Sequence, residues 1–114
     1  METVISGENY SVEWSQDTRT AALRGILRLN GLEEYAPIAQ FLSEAVPTGS
    51  MTLDLRGLEF LNSSGIAMLS KFVIEIRNRK TVDLHVLGSK AVAWQGKSLV
   101  NLCKLMPALR MDIV

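Results

Sequence analysis

Apolar and polar positions change rhythm several times along this chain, and each rhythm matches one kind of element. Tyr10, Val12 and Trp14 alternate with Ser11 and Glu13; after a turn-forming run from Ser15 to Thr18, Ala21, Leu23, Gly25, Leu27 and Leu29 alternate again. Period two marks a half-buried strand, so these runs predict a β-hairpin. Asn30 and Gly31 end it. Glu33 and Glu34 open a predicted helix whose Tyr35, Ile38, Leu42 and Ala45 share a face, with Pro37 tolerated near the first turn and Pro47, Thr48 and Gly49 as its stop. Met51, Leu53 and Leu55 then alternate with Thr52 and Asp54 as a central strand, and Gly57 serves the turn that follows.

Past the apolar pair Phe60 and Leu61, the run Asn62, Ser63, Ser64 and Gly65 offers small side-chain oxygens to the unpaired N–H groups of a helix start. Ile66, Leu69, Val73 and Ile76 recur at three- and four-residue steps with Phe72 on the same side, while Glu75, Arg77, Asn78, Arg79 and Lys80 form a wet face and a cationic last turn suited to the helix dipole. Val82, Leu84 and Val86 alternate with Asp83, His85 and Leu87; a helical stretch from about Lys90 to Met106, Pro107 and a short strand from Met111 to Val114 complete the chain. The order is β-β-α-β-α-β-α-β, an α/β fold with a small mixed sheet and packed helices. Strands joined by helices should run parallel, with the first hairpin strand antiparallel at the edge. Residues 1–9 read as a loose N-terminus or an edge addition, and residues 10–114 as a single domain. Leu53, Leu55, Ile66, Leu69, Val73 and Leu84 should share one core.

The two serines at the helix start are the leading chemical candidates. Read locally, Asn62 or Ser63 caps the helix, contributing about 1 kcal/mol over alanine, and Ser64 sits in the first turn. A phosphate there would add roughly −1.5 to −2 charges at the positive end of a helix, where the domain tolerates it and a covering partner does not. The segment from Leu53 to Ile66 (LDLRGLEFLNSSGI) resembles the signature of STAS domains, the fold of bacterial anti-sigma factor antagonists and of sulfate transporter tails, and LRLNGLEE from Leu27 to Glu34 is similar to the same family's strand, glycine and acidic segment before its first helix. The resemblance covers residues 10–114 in element order. It implies a non-catalytic protein-binding module that binds an anti-sigma factor or related serine kinase, is released by phosphorylation at Ser63 (alternatively Ser64), and is restored by a PP2C-type phosphatase. Asn62, Ser63, Ser64, Gly65 and Glu34 would form the partner-binding turn. Asn62 stands where the family usually has aspartate, which leaves open a scaffold or sensor role without phosphorylation. Glu34 also reads as a first-turn glutamate stabilising its own helix, and Gly65 either admits a partner or is a packing glycine. The resemblance also implies a C-terminal helix in many members; its absence here would leave an apolar surface for self-association.

Composition narrows the alternatives. A chain of 114 residues can bury a single core, and twelve basic residues balance twelve acidic ones, so neither nucleic acid nor an anionic membrane is indicated as a partner. No segment is apolar for the ~18 residues of a span, and the first residues lack the pattern of a signal peptide, which points to a cytoplasmic protein. One cysteine, Cys103, and one histidine, His85, supply no metal set, and His85 on its strand has no evident acidic partner to make it a base for a serine nucleophile. Gly96, Lys97 and Ser98 resemble the end of a phosphate-binding loop, but Ala91 stands where that loop needs glycine. No cofactor is implied. Trp14 reads as a core residue, and Trp94 equally as core or as an exposed anchor.

Overall fold

The computed structural model describes residues 1–45 and 48–114. Seven strands form one mixed sheet: β1 (Glu2–Ser6), β2 (Tyr10–Ser15), β3 (Thr20–Leu27), β4 (Gly49–Asp54), β5 (Leu58–Leu61), β6 (Val82–Gly88) and β7 (Arg110–Ile113). The helices are α1 (Gly31–Ala45), α2 (Ser63–Arg79), α3 (Ala93–Ser98) and α4 (Val100–Leu105). The sheet runs β1-β2-β3-β4-β6-β7, with β5 beside the second half of β3. β1, β2 and β3 pair antiparallel, and every pairing from β3 through β7 is parallel. The mixed α/β sheet predicted from the alternating runs is therefore present.

Several elements differ from expectation, each for a physical reason. Glu2–Ser6 is an edge strand on β2 rather than a loose end; the side chains from Glu2 to Val4 are exposed, so its pairing is a backbone matter that no apolar pattern announces. In the linear pattern β5 shows only as an apolar pair, Phe60 and Leu61, before a helix. It exists because β3 leaves β4 after Ala22 and continues beside Leu58–Leu61. Gly25 (φ +90°) makes that change of partner, and a Cβ there would lie 2.2 Å from the Asn9 carbonyl oxygen. The stretch from Lys90 to Met106 is two short helices meeting at Leu99 rather than one. α1 begins at Gly31, so Pro37 lies in its second turn. Pro47, expected among the stop residues, lies outside the described residues.

Burial follows the pleat. Met51 and Leu53 on β4, and Val82, Leu84 and Val86 on β6, are buried beneath the helices, while Ser50, Asp83, His85 and Leu87 alternate outward. Tyr35, Ile38 and Leu42 of α1 and Leu69, Phe72, Val73 and Ile76 of α2 close the same core. Of the six residues expected to share it, Leu53, Leu55, Leu69, Val73 and Leu84 are fully buried and Ile66 packs half-buried against them. Trp14 is half-buried, edge-on to Phe41 at 6.0 Å between ring centres.

Candidate functional site

Asn62 organises the candidate turn. It is the N-cap of α2 (φ −79°, ψ 176°), and its Oδ1 accepts from the Gly65 N–H at 3.0 Å. The same oxygen accepts from the Tyr35 hydroxyl of α1 at 2.6 Å, and its Nδ2 donates to the Leu29 carbonyl at 2.8 Å, just past β3. The Asn62 backbone N–H donates to Leu27, and its carbonyl receives Ile66 at 3.0 Å. One amide thus ties the start of α2 to α1 and to the end of β3, and its orientation is fixed: exchanging O and N would set two donors against each other. Burial pushes the Tyr35 phenol up from its ordinary value, so it remains a protonated donor across the physiological range.

Ser63 is the first residue of α2 and is exposed; Ser64 is half-buried and Gly65 buried. The cap is therefore Asn62, the first of the two residues the pattern allowed, and the Ser63 hydroxyl is left for solvent. Gly65 is a packing glycine. A Cβ on it would fall 2.2 Å from Leu61 Cδ1 and 2.8 Å from the Tyr35 hydroxyl, so the helix starts against β5 and α1 with no room between. Glu34 is exposed, and its Oε1 accepts from the Asn30 N–H at 3.1 Å, which closes the start of its own helix. Tyr35, the next residue, makes the link to the turn.

The strand leading into this turn presents an apolar surface. Ile26 of β3 and Phe60 of β5 stand opposite one another in the sheet, 36% and 37% exposed, and the Arg28 guanidinium lies over the Phe60 ring, 4.6 Å from its centre. Nothing in a one-dimensional pattern pairs these residues, because β5 is too short to show a period.

Away from the turn, the fold brings together groups that lie far apart in the chain. His85 Nε2 meets Asp112 Oδ2 at 2.7 Å, and the Arg110 guanidinium donates to His85 Nδ1 at 2.9 Å, so the histidine does have an acidic partner, 27 positions away on β7. Among the described residues no imidazole or carboxylate bonds to Ser63. Gly96, Lys97 and Ser98 lie within α3 rather than in a loop. Beside them, Gln95 is fully buried and wholly engaged, Nε2 donating to the Leu55 and Leu58 carbonyls and Oε1 accepting from Ser89 N–H. Trp94 donates to the Leu58 carbonyl at 3.2 Å, half-buried against the core. Among the described residues, no three His, Cys, Asp or Glu side chains gather as a metal set, and no helix is long and apolar enough to cross a membrane.

No protein-family model matches this chain, and no curated protein matches it in sequence. Solved structures share its fold. One is a chain of the crystal structure of the diguanylate cyclase SiaD in complex with its activator SiaC from Pseudomonas aeruginosa, similar at a TM-score of 0.70 and 11% identity over 100% of this chain and 99% of that one. Another is SiaC of Pseudomonas aeruginosa, with a TM-score of 0.70 and 14% identity over 98% of this chain and 95% of that one. At such identity the likeness is one of fold.

Proposed function

We propose that this chain is a non-catalytic regulatory module of the STAS-like, partner-switching kind, acting in the cytoplasm, and that Ser63 is its switch residue. The observation that carries the reading is the geometry of one turn: an exposed serine hydroxyl at the first position of a helix whose start is tied by Asn62 to α1 and β3. Such a platform holds its shape while its surface charge changes. In the unmodified state a partner lies over Asn62, Ser63, Ser64 and Gly65. A serine kinase carrying its own ATP transfers the γ-phosphoryl group to Ser63 Oγ, which loses its proton as ADP leaves, and the new charge expels the partner; a PP2C-type phosphatase hydrolyses the phosphoserine with water, releasing inorganic phosphate and restoring the hydroxyl.

Two partner classes fit. The signature resemblance points to an anti-sigma factor or related kinase, and the fold shared with SiaC, the activator of a diguanylate cyclase, points to a signalling enzyme. A constitutive scaffold or sensor is the second reading, favoured by the three structural bonds to which the Asn62 amide is committed. Recovery of partners from native extract with and without phosphatase treatment, together with mapping of phosphate on the recovered chain, separates the two. The switch reading expects phosphate on Ser63 and more partner after treatment. An unmodified Ser63 with partner recovery indifferent to phosphatase overturns it in favour of the scaffold.

A further inference from the structure

Seven arginines occur in the chain, and six of them are bound to an acceptor. Arg24 meets Glu13, Arg56 meets Asp54, Arg79 meets Glu75 and the Ser43 carbonyl, Arg19 and Arg77 reach the Thr48 and Leu105 carbonyls, and Arg110 meets His85. Arg28 has no hydrogen-bond acceptor among the described residues. It is exposed and rests on the face of Phe60 alone. A guanidinium offers five donors in a planar fork suited to carboxylate or phosphate, and stacking on an aromatic face leaves all five available.

The position of Arg28 puts it beside the start of α2. Leu27 pairs with Leu61 in the parallel β3–β5 ladder, and Asn62 donates to the carbonyls on both sides of Arg28, those of Leu27 and Leu29. Arg28 therefore lies across from Asn62, at the inter-strand spacing of about 4.8 Å, one residue from Ser63. An arginine side chain and a phosphoserine together reach well beyond that gap. Nearby acidic groups do not occupy the fork: Glu8 lines the same shallow depression as Arg28 without pairing to it, Glu59 is exposed on β5, and Glu34 is bound to Asn30.

We propose that Arg28 is the internal reader of phosphate at Ser63, taking the phosphoryl oxygens in its fork and so altering the cover of Phe60 on the surface that the partner meets. The proposal rests on the reading of Ser63 as the modified residue. It gives the switch a second effect beyond repulsion, because modification also changes an apolar contact surface.

The test uses the full chain with phosphoserine genetically encoded at position 63, and follows the phosphate by phosphorus NMR through a pH titration. A free phosphoserine has its second pKa near ~6. Arg28→Gln should raise the apparent value by about 0.5–1 relative to the parent phosphoprotein, since a neighbouring cation favours the dianion. Arg24→Gln, whose guanidinium is already held by Glu13, should leave it unchanged. The Arg28 Cδ protons should also lose their ring-current shift from Phe60 on phosphorylation. An identical titration with and without Arg28, or an equal response to Arg24→Gln, overturns the proposal. Absence of phosphate on Ser63 in cells would instead overturn the switch reading and leave this titration as it stands.

Discussion

At the scale of single residues, Asn62 is committed by three side-chain bonds that an aspartate could not all make. Asn62→Asp keeps acceptors for Gly65 and Tyr35 but sets a carboxylate oxygen against the Leu29 carbonyl, where Nδ2 now donates at 2.8 Å. Losing a part-buried donor and adding repulsion should cost about 1–3 kcal/mol, read as a lower denaturant midpoint at unchanged slope. Asparagine and aspartate should therefore not be interchangeable at position 62, for a reason that lies in residues 27–35 and is invisible around position 62 itself. A second prediction concerns acid. Burial alone would raise the Asp54 carboxyl, but bonds from the Arg56 side chain and backbone N–H outweigh it and hold it below the ordinary 3.8. For Glu75, the Ser43 hydroxyl and then Arg79 outweigh burial and hold it below 4.5. Depressed folded values stabilise the ionised forms, so this stability is full above the unfolded values and is lost as pH falls from there through the lower folded ones. Melting temperature should drop as pH is taken from 5 to about 3, and Arg56→Gln should make the drop shallower by removing the main partner of Asp54. An unchanged slope would show that Asp54 contributes nothing to it.

Elements were legible where a period had room to repeat. β2, β3, β4 with Leu55 just past it, β6 and α2 each carry three or more apolar residues spaced to one face. β5 has four residues, of which Glu59 and Phe60 are both exposed, so it shows no alternation. β1 is held by backbone pairing beside exposed side chains, and the α3–α4 break at Leu99 has neither glycine nor proline to mark it. The candidate turn was legible as a local motif, and its supports were not: Tyr35 was readable only as a core position of α1, and the Asp112 partner of His85 needs the β6–β7 pairing. The contact of α2 with β5 and α1 makes its own prediction. Gly65→Ala places a methyl 2.2 Å from Leu61 Cδ1 and 2.8 Å from the Tyr35 hydroxyl that bonds Asn62. Overpacking of this kind costs about 1–3 kcal/mol, or a melting temperature lower by very roughly 5–20 °C for a domain of this size. A variant melting within a degree or two of the parent would mean that the helix start yields easily, and the rigid platform assumed for the switch would fail with it.

For the whole molecule the decisive question is whether surface charge can change without the fold changing, and Ser63→Asp separates the two. Position 63 follows the cap, so the new carboxylate disturbs none of the bonds that Asn62 makes, and at the first position of α2 it faces the positive end of the helix dipole. That placement is worth ~0.3–1 kcal/mol in favour of the variant, so its melting temperature should hold or rise slightly. Binding responds in the opposite direction. A partner covering the turn must desolvate a charge for which it brings no cation, at a cost of a few kcal/mol, or about a hundredfold in affinity. Arg28 offsets part of that cost if it can reach a carboxylate as well as a phosphate, so Ser63→Asp combined with Arg28→Gln should bind more weakly still if repulsion dominates. Ser64, half-buried one step into the helix, is the control. Ser64→Asp should weaken binding less, while its carboxylate loses solvent and stabilises the fold less than the exposed variant does. Affinity for the captured partner, measured beside a melting curve for each variant, reads both effects from the same samples. Loss of binding with an intact melt in Ser63→Asp alone is the expected pattern; equal loss in both serine variants would move the contact surface away from Ser63.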